Sequence, residues 1–550
     1  MSLVSRNLHR MYSSLSVAGT GGPASAVLIG VLALPLFASA GALLAGSQYP
    51  RLAGRLGAST AGAGFAGAVL LGLCATVHGP VSAGLNSADG TVIAQLDANR
   101  LSALLLVLVY GVSTVVQIFA LRYLACDGRA GWFTAGTGLL TAASAGLMTS
   151  GTLIGLAVCW TLAGTALCLL LATYWELPAA RDGVRRTATA FVLGDLALWS
   201  AVGLLTAQRG NVQLSTLGHN GFGHSSPVLP AAAGLIVVAA LSRSAQIPFH
   251  RWLPATLAAP TPVSALLHAG VVNAGGVLLV RLSPVVSGSG FAMGLAFAAG
   301  TLSVVYGGVV MLTKADIKGS LVYSTMAQMG FMVLACGLGL SAAAVFHLVG
   351  HGFYKASMFL SSGSAIAKRR QKAARPTAPA PSPARWAAIH FAAMLLAAAA
   401  LYVASRIVRV PTAEHGSAAA LLVFTWATAA AALAGWLARN PSPRAALTGA
   451  VALLAVALGY VALVNTVTGF LAPDLPPVAV PAASSPGVVA VAAILGALAL
   501  LRQAPPDGRV GSLQRAIYTK ALVAGHIPVT SPRPVPTTPP LTNQLTGALQ

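Results

Sequence analysis

Between Ser242 and Gly363 the sequence places Arg243, His250, His268, Lys318, His347, His351 and Lys355 in or at the ends of otherwise apolar runs. Only 8% of the 550 residues are charged and the mean hydropathy is +0.79. In such a chain an ionisable group costs roughly 2.5 kcal/mol or more unless it faces a cavity or a partner. His347, His351 and Lys355 are spaced i, i+4, i+8 and form one stripe along a single helix face. Imidazole passes protons in either direction near neutrality, and a buried lysine can be tuned to exchange a proton as well. The pattern is that of an ion path through a membrane protein. Two histidines one turn apart could instead bind zinc, although no third ligand is evident nearby, or could simply be satisfied by helix carbonyls. Asp195, one of ten acids, lies in FVLGDLALWS and is the available counter-ion for Arg243 or Lys355, unless it only snorkels to water beside Arg185 and Arg186. Lys318 and Asp316 sit at a helix start from which Lys318 can extend inward, and Lys314 reads as a loop charge.

The elements that must position these groups are apolar runs. A run of about 20 residues spans a bilayer. Such runs lie near 23–46, 60–78, 101–120, 131–148, 151–174, 187–206, 229–247, 262–281, 289–312, 319–338, 341–364, 386–405, 417–437, 446–470 and 486–501. The expected fold is therefore an all-α polytopic membrane protein of about fifteen transmembrane helices. After SRSAQ the run meets Pro248, Pro254, Pro260 and Pro262. Proline removes a helical donor, and a helix broken at membrane depth is tolerated where it lines a cavity or is buried in protein, so this stretch predicts a discontinuous helix. An ordinary loop between two helices is the alternative.

Lys and Arg give a formal charge of +22, but they are not spread evenly. Loops after odd-numbered runs carry Arg51 and Arg55, Arg122 and Arg129, Arg181, Arg185 and Arg186, Arg251, Lys314 and Lys318, the cluster from Lys368 to Arg385, Arg439 and Arg444, and finally Arg502, Arg509, Arg515 and Lys520. Loops after even-numbered runs are nearly free of cations. This bias predicts an N-terminus outside and a C-terminus in the cytoplasm of the bacterial inner membrane, with the basic excess facing anionic lipid and an acidic partner, and no nucleic acid. Residues 1–22 form a lead without a convincing signal-peptide cleavage site. Residues 23–365 form a transmembrane core, 366–385 a basic Pro/Ala-rich cytoplasmic linker, 386–501 the last spans, and 502–550 a tail in which Leu513–His526 could form a short amphipathic helix. Five scattered cysteines without a CxxC pair read as small buried hydrophobes. No Rossmann fingerprint or P-loop is present, so no cofactor is expected.

SRSAQIPFHRWLPATLAAPTPVSALLHAGVVNAGG (Ser242–Gly276), DIKGSLVYSTMAQMGFM (Asp316–Met332) and FHLVGHGFYKASMFLSSGS (Phe346–Ser364) resemble the antiporter-like membrane subunits of respiratory complex I and of Mrp-type cation antiporters. Within that superfamily, PFHRWLP followed by HAGVVNAGG most resembles the DabB membrane subunits of two-part inorganic-carbon complexes. The resemblance implies two inverted five-helix repeats, roughly 130–281 and 288–437, and a central proton carrier at His268. It also implies a cytoplasmic DabA-like partner that contains zinc and converts CO2 to bicarbonate, while the membrane chain conducts protons or sodium ions and has no catalytic or metal site of its own. An alternative within the same fold is a proton-pumping subunit of a complex I, hydrogenase or Mrp-type assembly. Two departures count against complex I: the fifth helix has Trp160 and Thr161 where those subunits carry a glutamate, and Arg243 stands where they carry a lysine. A guanidinium holds a fixed charge but does not load and release protons. The short tail also leaves no room for the long lateral helix of the largest complex I subunit of this type.

Overall fold

The computed structural model describes residues 15–18, 22–45, 48–87, 92–210, 212–217, 228–364, 382–408, 415–440, 442–475 and 508–526, with scattered positions between 490 and 501. The linker expected at 366–385 lies outside the described residues except for its last four, as do most of the N-terminal lead and of the run at 486–501.

The chain is a helical bundle. Its helices are α1 (Pro23–Ala45), α2 (Pro50–Val77), α3 (Arg100–Tyr123), α4 (Ala130–Thr149), α5 (Leu153–Leu171), α6 (Pro178–Arg209), α7 (Val228–Arg243), α8 (Thr261–Ala269), α9 (Ala274–Arg281), the short α10 (Ser283–Ser287), α11 (Gly290–Val310), α12 (Ile317–Gly337), α13 (Ser341–Leu360), α14 (Pro383–Ile407), α15 (His415–Arg439), α16 (Pro443–Leu471) and α17 (Gly508–Ala524). Ten spans among the described residues are long and apolar enough to cross a membrane, counting α8 with α9 as one. The remaining expected runs differ for local reasons. α4 is rich in Gly, Thr and Ser, α7 stops after 16 residues at Arg243, and α13 carries the titratable stripe. The run near 417–437 lies within α15, and that near 486–501 is mostly outside the described residues.

Helix starts follow from capping chemistry. Asn99, Thr152, Ser289, Asp316, Ser382 and Ser442 each accept a hydrogen bond from the backbone N–H three residues on. Proline opens α2, α6, α14 and α16, where its missing N–H costs nothing. The same reason revises the reading of the prolines near the helix break. Pro248 and Pro254 lie inside it, but Pro260 is the cap and Pro262 the first turn of α8, so these two start a helix.

An element absent from the sequence reading is a three-stranded antiparallel sheet, β1 (Leu15–Ala18), β2 (Val81–Ser87) and β3 (Val92–Ala98), with Val17 opposite Leu85 and Gly84 opposite Gln95. It joins α2 to α3, and the Gly151 N–H donates to the Gln95 carbonyl, tying the sheet to the α4–α5 turn. At the opposite ends of these helices the Tyr174 hydroxyl donates to Asp127 at 2.7 Å, and Arg129 pairs with Glu176 at 2.9 Å. That tyrosine bond, ahead of the Arg129 backbone and charge, holds the Asp127 carboxyl below its ordinary range.

α11 and α12 touch backbone to backbone. A Cβ on Gly300 would lie 2.6 Å from the Leu334 nitrogen, one on Gly307 2.8 Å from the Ala327 nitrogen, and one on Gly337 2.6 Å from the Phe297 nitrogen. Small residues let membrane helices approach in this way. Gly308, on the same helix, has nothing within 4 Å of such a Cβ. Gly300→Ala should therefore destabilise the detergent-solubilised protein by about 1–3 kcal/mol, whereas Gly308→Ala should be neutral or slightly stabilising. Thermal unfolding of the two variants side by side checks this; equal melting points would show that the glycine contact is not tight.

Candidate ion path

The first half of the site is a buried ion pair. Arg243 ends α7 and is 1% exposed. Its Nη2 donates to Asp195 Oδ1 at 2.8 Å, and its Nη1 donates to the Trp160 carbonyl at 3.2 Å. The guanidinium lies between the rings of Trp160 and Phe191, 4.4 and 4.1 Å from their centroids. The indole N–H of Trp160 donates to the same Asp195 oxygen at 2.8 Å. Gly164, one turn beyond Trp160, is the residue that makes room: a Cβ there would lie 2.6 Å from Arg243 Nη1. The fifth helix therefore supplies a hydrogen-bond donor and a gap, and the acid comes from the sixth. Asp195 meets Arg243 and not Lys355.

Behind Arg243 the helix breaks. Residues 244–260 contain two short 3-10 turns, His250–Trp252 and Pro254–Ala258. Ala245 has φ +53°, a left-handed conformation costly for a residue with a Cβ. Polar side chains tie the irregular segment to its neighbours and satisfy some of its backbone groups. Ser242 Oγ donates to the Ala190 carbonyl at 2.6 Å, Ser244 Oγ to the Val272 carbonyl at 2.7 Å, and Trp252 Nε1 to the Ser242 carbonyl at 2.9 Å, while Ser303 Oγ accepts from the Ile247 N–H at 3.0 Å. This is how irregular backbone is tolerated at membrane depth. A second gap follows, Gly270–Asn273 between α8 and α9, which no proline announces.

The other half is the titratable cluster. His268, near the end of α8, is 1% exposed and stacks on Phe359 of α13 with ring centroids 4.2 Å apart. His347 and His351 stack on each other at 5.9 Å. Lys355, also 1% exposed, donates through Nζ to Ser324 Oγ at 2.5 Å and to the Leu321 carbonyl at 3.3 Å, both on α12. The helix that carries the stripe, α13, packs directly against α8, which carries His268, and Lys318 lies in the first turn of α12. His268 Nδ1, His347 Nε2 and both ring nitrogens of His351 are buried without a hydrogen-bond partner among the described residues. Buried polar atoms ordinarily have one, so these are the atoms available to water or a transferred proton. No group of three His, Cys, Asp or Glu able to hold a metal occurs among the described residues. Lys318 borders an open cleft of about 1110 Å³ with Tyr123, Thr261, Asp316 and Ser362, at the end of the bundle where the basic loops lie.

His250 is placed apart from this cluster, edge-on to Tyr306 at 4.9 Å. Tyr306 in turn donates to the Ala524 carbonyl at the end of α17, and Lys314 donates to the Gly525 carbonyl at 2.7 Å and lies 5.0 Å from the Tyr323 ring. Lys314 is thus a clamp on the tail helix and not a plain loop charge. Another cation, half-buried, had no signal in the sequence: Arg281, at the end of α9, donates to the carbonyls of Leu147, at 2.5 Å, and Ser150 and so caps α4.

These elements define a class. Residues 150–378 match the family model described as NADH:quinone oxidoreductase/Mrp antiporter, TM, and residues 85–133 match that of the NADH-ubiquinone oxidoreductase (complex I) chain 5 N-terminus. The fold is similar to a chain in the structure of the Mrp complex from Dietzia sp. DQ12-45-1b, with a TM-score of 0.60 and 24% identity over 90% of this chain and 60% of that one. Two curated relatives from Halothiobacillus neapolitanus narrow the class. One is named probable inorganic carbon transporter subunit DabB1, 34% identical over 70% of this chain and 72% of the relative; the other is probable inorganic carbon transporter subunit DabB2, 38% identical over 53% of each. The chain belongs to the DabB family of antiporter-like membrane subunits.

Two outcomes test the geometry. Arg243→Ala leaves Asp195 without its cation, a loss of about 3–5 kcal/mol when a buried pair is broken, whereas Arg243→Lys keeps the charge and loses only the second contact. Melting temperature should fall in the order wild type, Lys, Ala; equal losses for both would show that the guanidinium shape between the two rings matters as much as its charge. His347→Ala and Lys355→Ala should each abolish ion flux while the protein still reaches the membrane at wild-type level. Full flux in both variants would remove the stripe from the path.

Proposed function

We propose that this chain is the cation-conducting membrane subunit of an inorganic-carbon transporter, that the cation is the proton, and that its downhill entry energises a cytoplasmic DabA-like partner. The observation that carries the reading is the group of unpartnered imidazole nitrogens beside Lys355, buried next to two helix gaps, in a chain of the DabB family. His268, His347, His351 and Lys355 hold and pass protons, Lys318 stands at the mouth of the open cleft, and the Arg243–Asp195 pair contributes fixed charge. The partner, a zinc-containing subunit, performs the conversion of CO2 to bicarbonate, and this chain performs no hydration. The bias of basic loops supports an N-terminus outside and a C-terminus in the cytoplasm of the bacterial inner membrane, with residues 23–365 as the conducting core, 366–385 as a linker and 386–501 as the accessory spans.

A second reading, a proton-pumping subunit of a redox complex, is supported by the match of residues 85–133 to the complex I model. The replacement of the fifth-helix acid by Trp160 favours the first.

The two readings differ in growth. Each charge crossing 100 mV contributes about 2.3 kcal/mol, enough to hold a coupled reaction well away from equilibrium. Cells lacking the chain should fail at ambient CO2 and recover at elevated CO2, where diffusion supplies the substrate, and an uncoupler should collapse bicarbonate accumulation in wild-type cells. Impaired NADH-driven respiration without rescue by CO2 would support the redox reading instead. Deletion without effect at ambient CO2, in a strain with no second homologue, would refute the inorganic-carbon role.

A further inference from the structure

The tail helix α17 is seated by its C-terminal end. The Tyr306 hydroxyl on α11 donates to the Ala524 carbonyl at 2.9 Å, and the Gly525 carbonyl accepts from Lys314 Nζ at 2.7 Å and from the Tyr323 hydroxyl on α12 at 3.1 Å. The last carbonyls of a helix carry partial negative charge and have no partners within it, so an amine and two phenols from elsewhere in the fold make a specific seat. Only glycine fits at position 525, where a Cβ would lie 2.5 Å from Val310 Cγ1. The seat also touches the helix break, since Tyr306 is the ring against which His250 rests at 4.9 Å.

Burial along α17 runs against the usual pattern. Its buried positions are small, Gly511 and Ala521, with Gly525 just beyond, whereas Leu513, Tyr518, Leu522 and Val523 are 46–70% exposed. α17 is not among the helices long and apolar enough to cross a membrane, so lipid tails do not account for these side chains. Exposed apolar groups rimmed by charge mark a contact surface. The charges are those of Arg515 and Lys520, both exposed, and no acid occurs between Gly508 and His526. With 32 Lys and Arg against ten Asp and Glu, the chain itself has few carboxylates to set opposite them.

The way the two kinds of side chain are mixed decides what covers this surface. A helix lying on a bilayer keeps its apolar side apart from its basic side. On α17, 3.6 residues per turn spread Leu513, Tyr518, Leu522 and Val523 over more than half of the circumference. Lys520 falls nearly in line with Leu513, and Arg515 nearly in line with Leu522. A flat bilayer cannot take up the apolar groups without the cations among them. A second copy of α17 would set like charges against each other. A protein surface with carboxylates around an apolar patch meets both kinds of side chain.

We propose that the exposed side of α17 is the docking surface for the soluble partner subunit, which meets it through carboxylates set around an apolar patch. The proposal rests on the reading of this chain as one part of a two-part transporter and adds where the parts meet. A partner docked there sits on a helix whose seat is shared with His250, so the contact is one side chain, Tyr306, away from the break.

Two measurements on the full chain test the proposal. The first is acetylation of Lys520 by a water-soluble reagent in lipid nanodiscs, read by mass spectrometry. Labelling should be roughly fivefold slower when the DabA-like subunit is co-expressed and bound than in the chain alone, because an interface excludes water and reagent. The difference should persist in discs without anionic lipid. Protection of Lys520 in the chain alone that requires anionic lipid, or that requires two chains in one disc, would assign the surface to the bilayer or to a second copy and overturn the proposal. The second measurement is the amount of DabA-like subunit that co-purifies with the tagged chain. Lys520→Glu should retain about tenfold less than wild type, Leu522→Ser should also lose partner, and Lys520→Arg should match the wild type. Retention by the wild type should fall as salt is raised, since the contact is partly between exposed charges. Unchanged melting temperatures of the variants separate loss of contact from loss of fold. Wild-type retention in Lys520→Glu, or a Lys520 that stays open to reagent in the complex, overturns the docking surface and leaves the two-part reading standing. A wild-type chain that retains no partner overturns that reading and the surface with it.

Discussion

The Arg243–Asp195 pair is the constraint that the surrounding helices answer to. A guanidinium cannot shed its charge, so once it is buried it must be matched by an anion and by acceptors for its remaining N–H groups. Asp195 supplies the anion, the Trp160 carbonyl an acceptor, and the faces of Trp160 and Phe191 a further favourable surface for the cation. Those contacts come from α5, α6 and α7 together, and the space for them exists because position 164 has no side chain. Three helices are thus held in register by one fixed charge at the point where α7 ends and the backbone becomes irregular.

The rest of the site divides labour with that pair. Arg243 is permanently charged, whereas the imidazole and amine groups of the cluster are of types that can gain and lose a proton. The two sets lie on either side of the broken segment, with Ser244 bonded to Val272 and Gly275 packed against Ser244, so the segment after Arg243 is in direct contact with the segment after His268. A change of charge at the cluster is therefore felt by backbone that is also anchored to the ion pair.

Much of this was legible in the residues themselves. The stripe on α13 followed from spacing, the break from Pro248 and Pro254, and Asp195 from its rarity as an acid in an apolar run. What escaped notice has a common cause: it depends on side-chain partners far apart in the chain. Trp160 read as a missing glutamate, and its indole bond to Asp195 exists only when α5 and α6 are packed. Gly164 is one of 59 glycines, and nothing local marks it. The gap at Gly270–Asn273 has no proline, and the sheet formed by β1, β2 and β3 pairs residue 17 with residue 85. Lys314 read as a loop charge because its acceptor, Gly525, lies more than two hundred residues further on.

The glycine contacts between α11 and α12 decide where motion can occur. Backbones in direct contact at Gly300, Gly307 and Gly337 leave no slack, and packed interfaces of this kind shift between discrete states instead of deforming smoothly. Lys355 is bonded to α12 through Leu321 and Ser324, so its amine is tied to the rigid pair. His268 has the opposite support: it is the second-to-last residue of the nine-residue α8, stacks on Phe359 and lies just before the gap that begins at Gly270. Lys355 is thus held by the tightly packed helices, whereas His268 lies beside irregular backbone. In the proposed path the rigid helices would fix where a proton is held, and the discontinuities where it moves next.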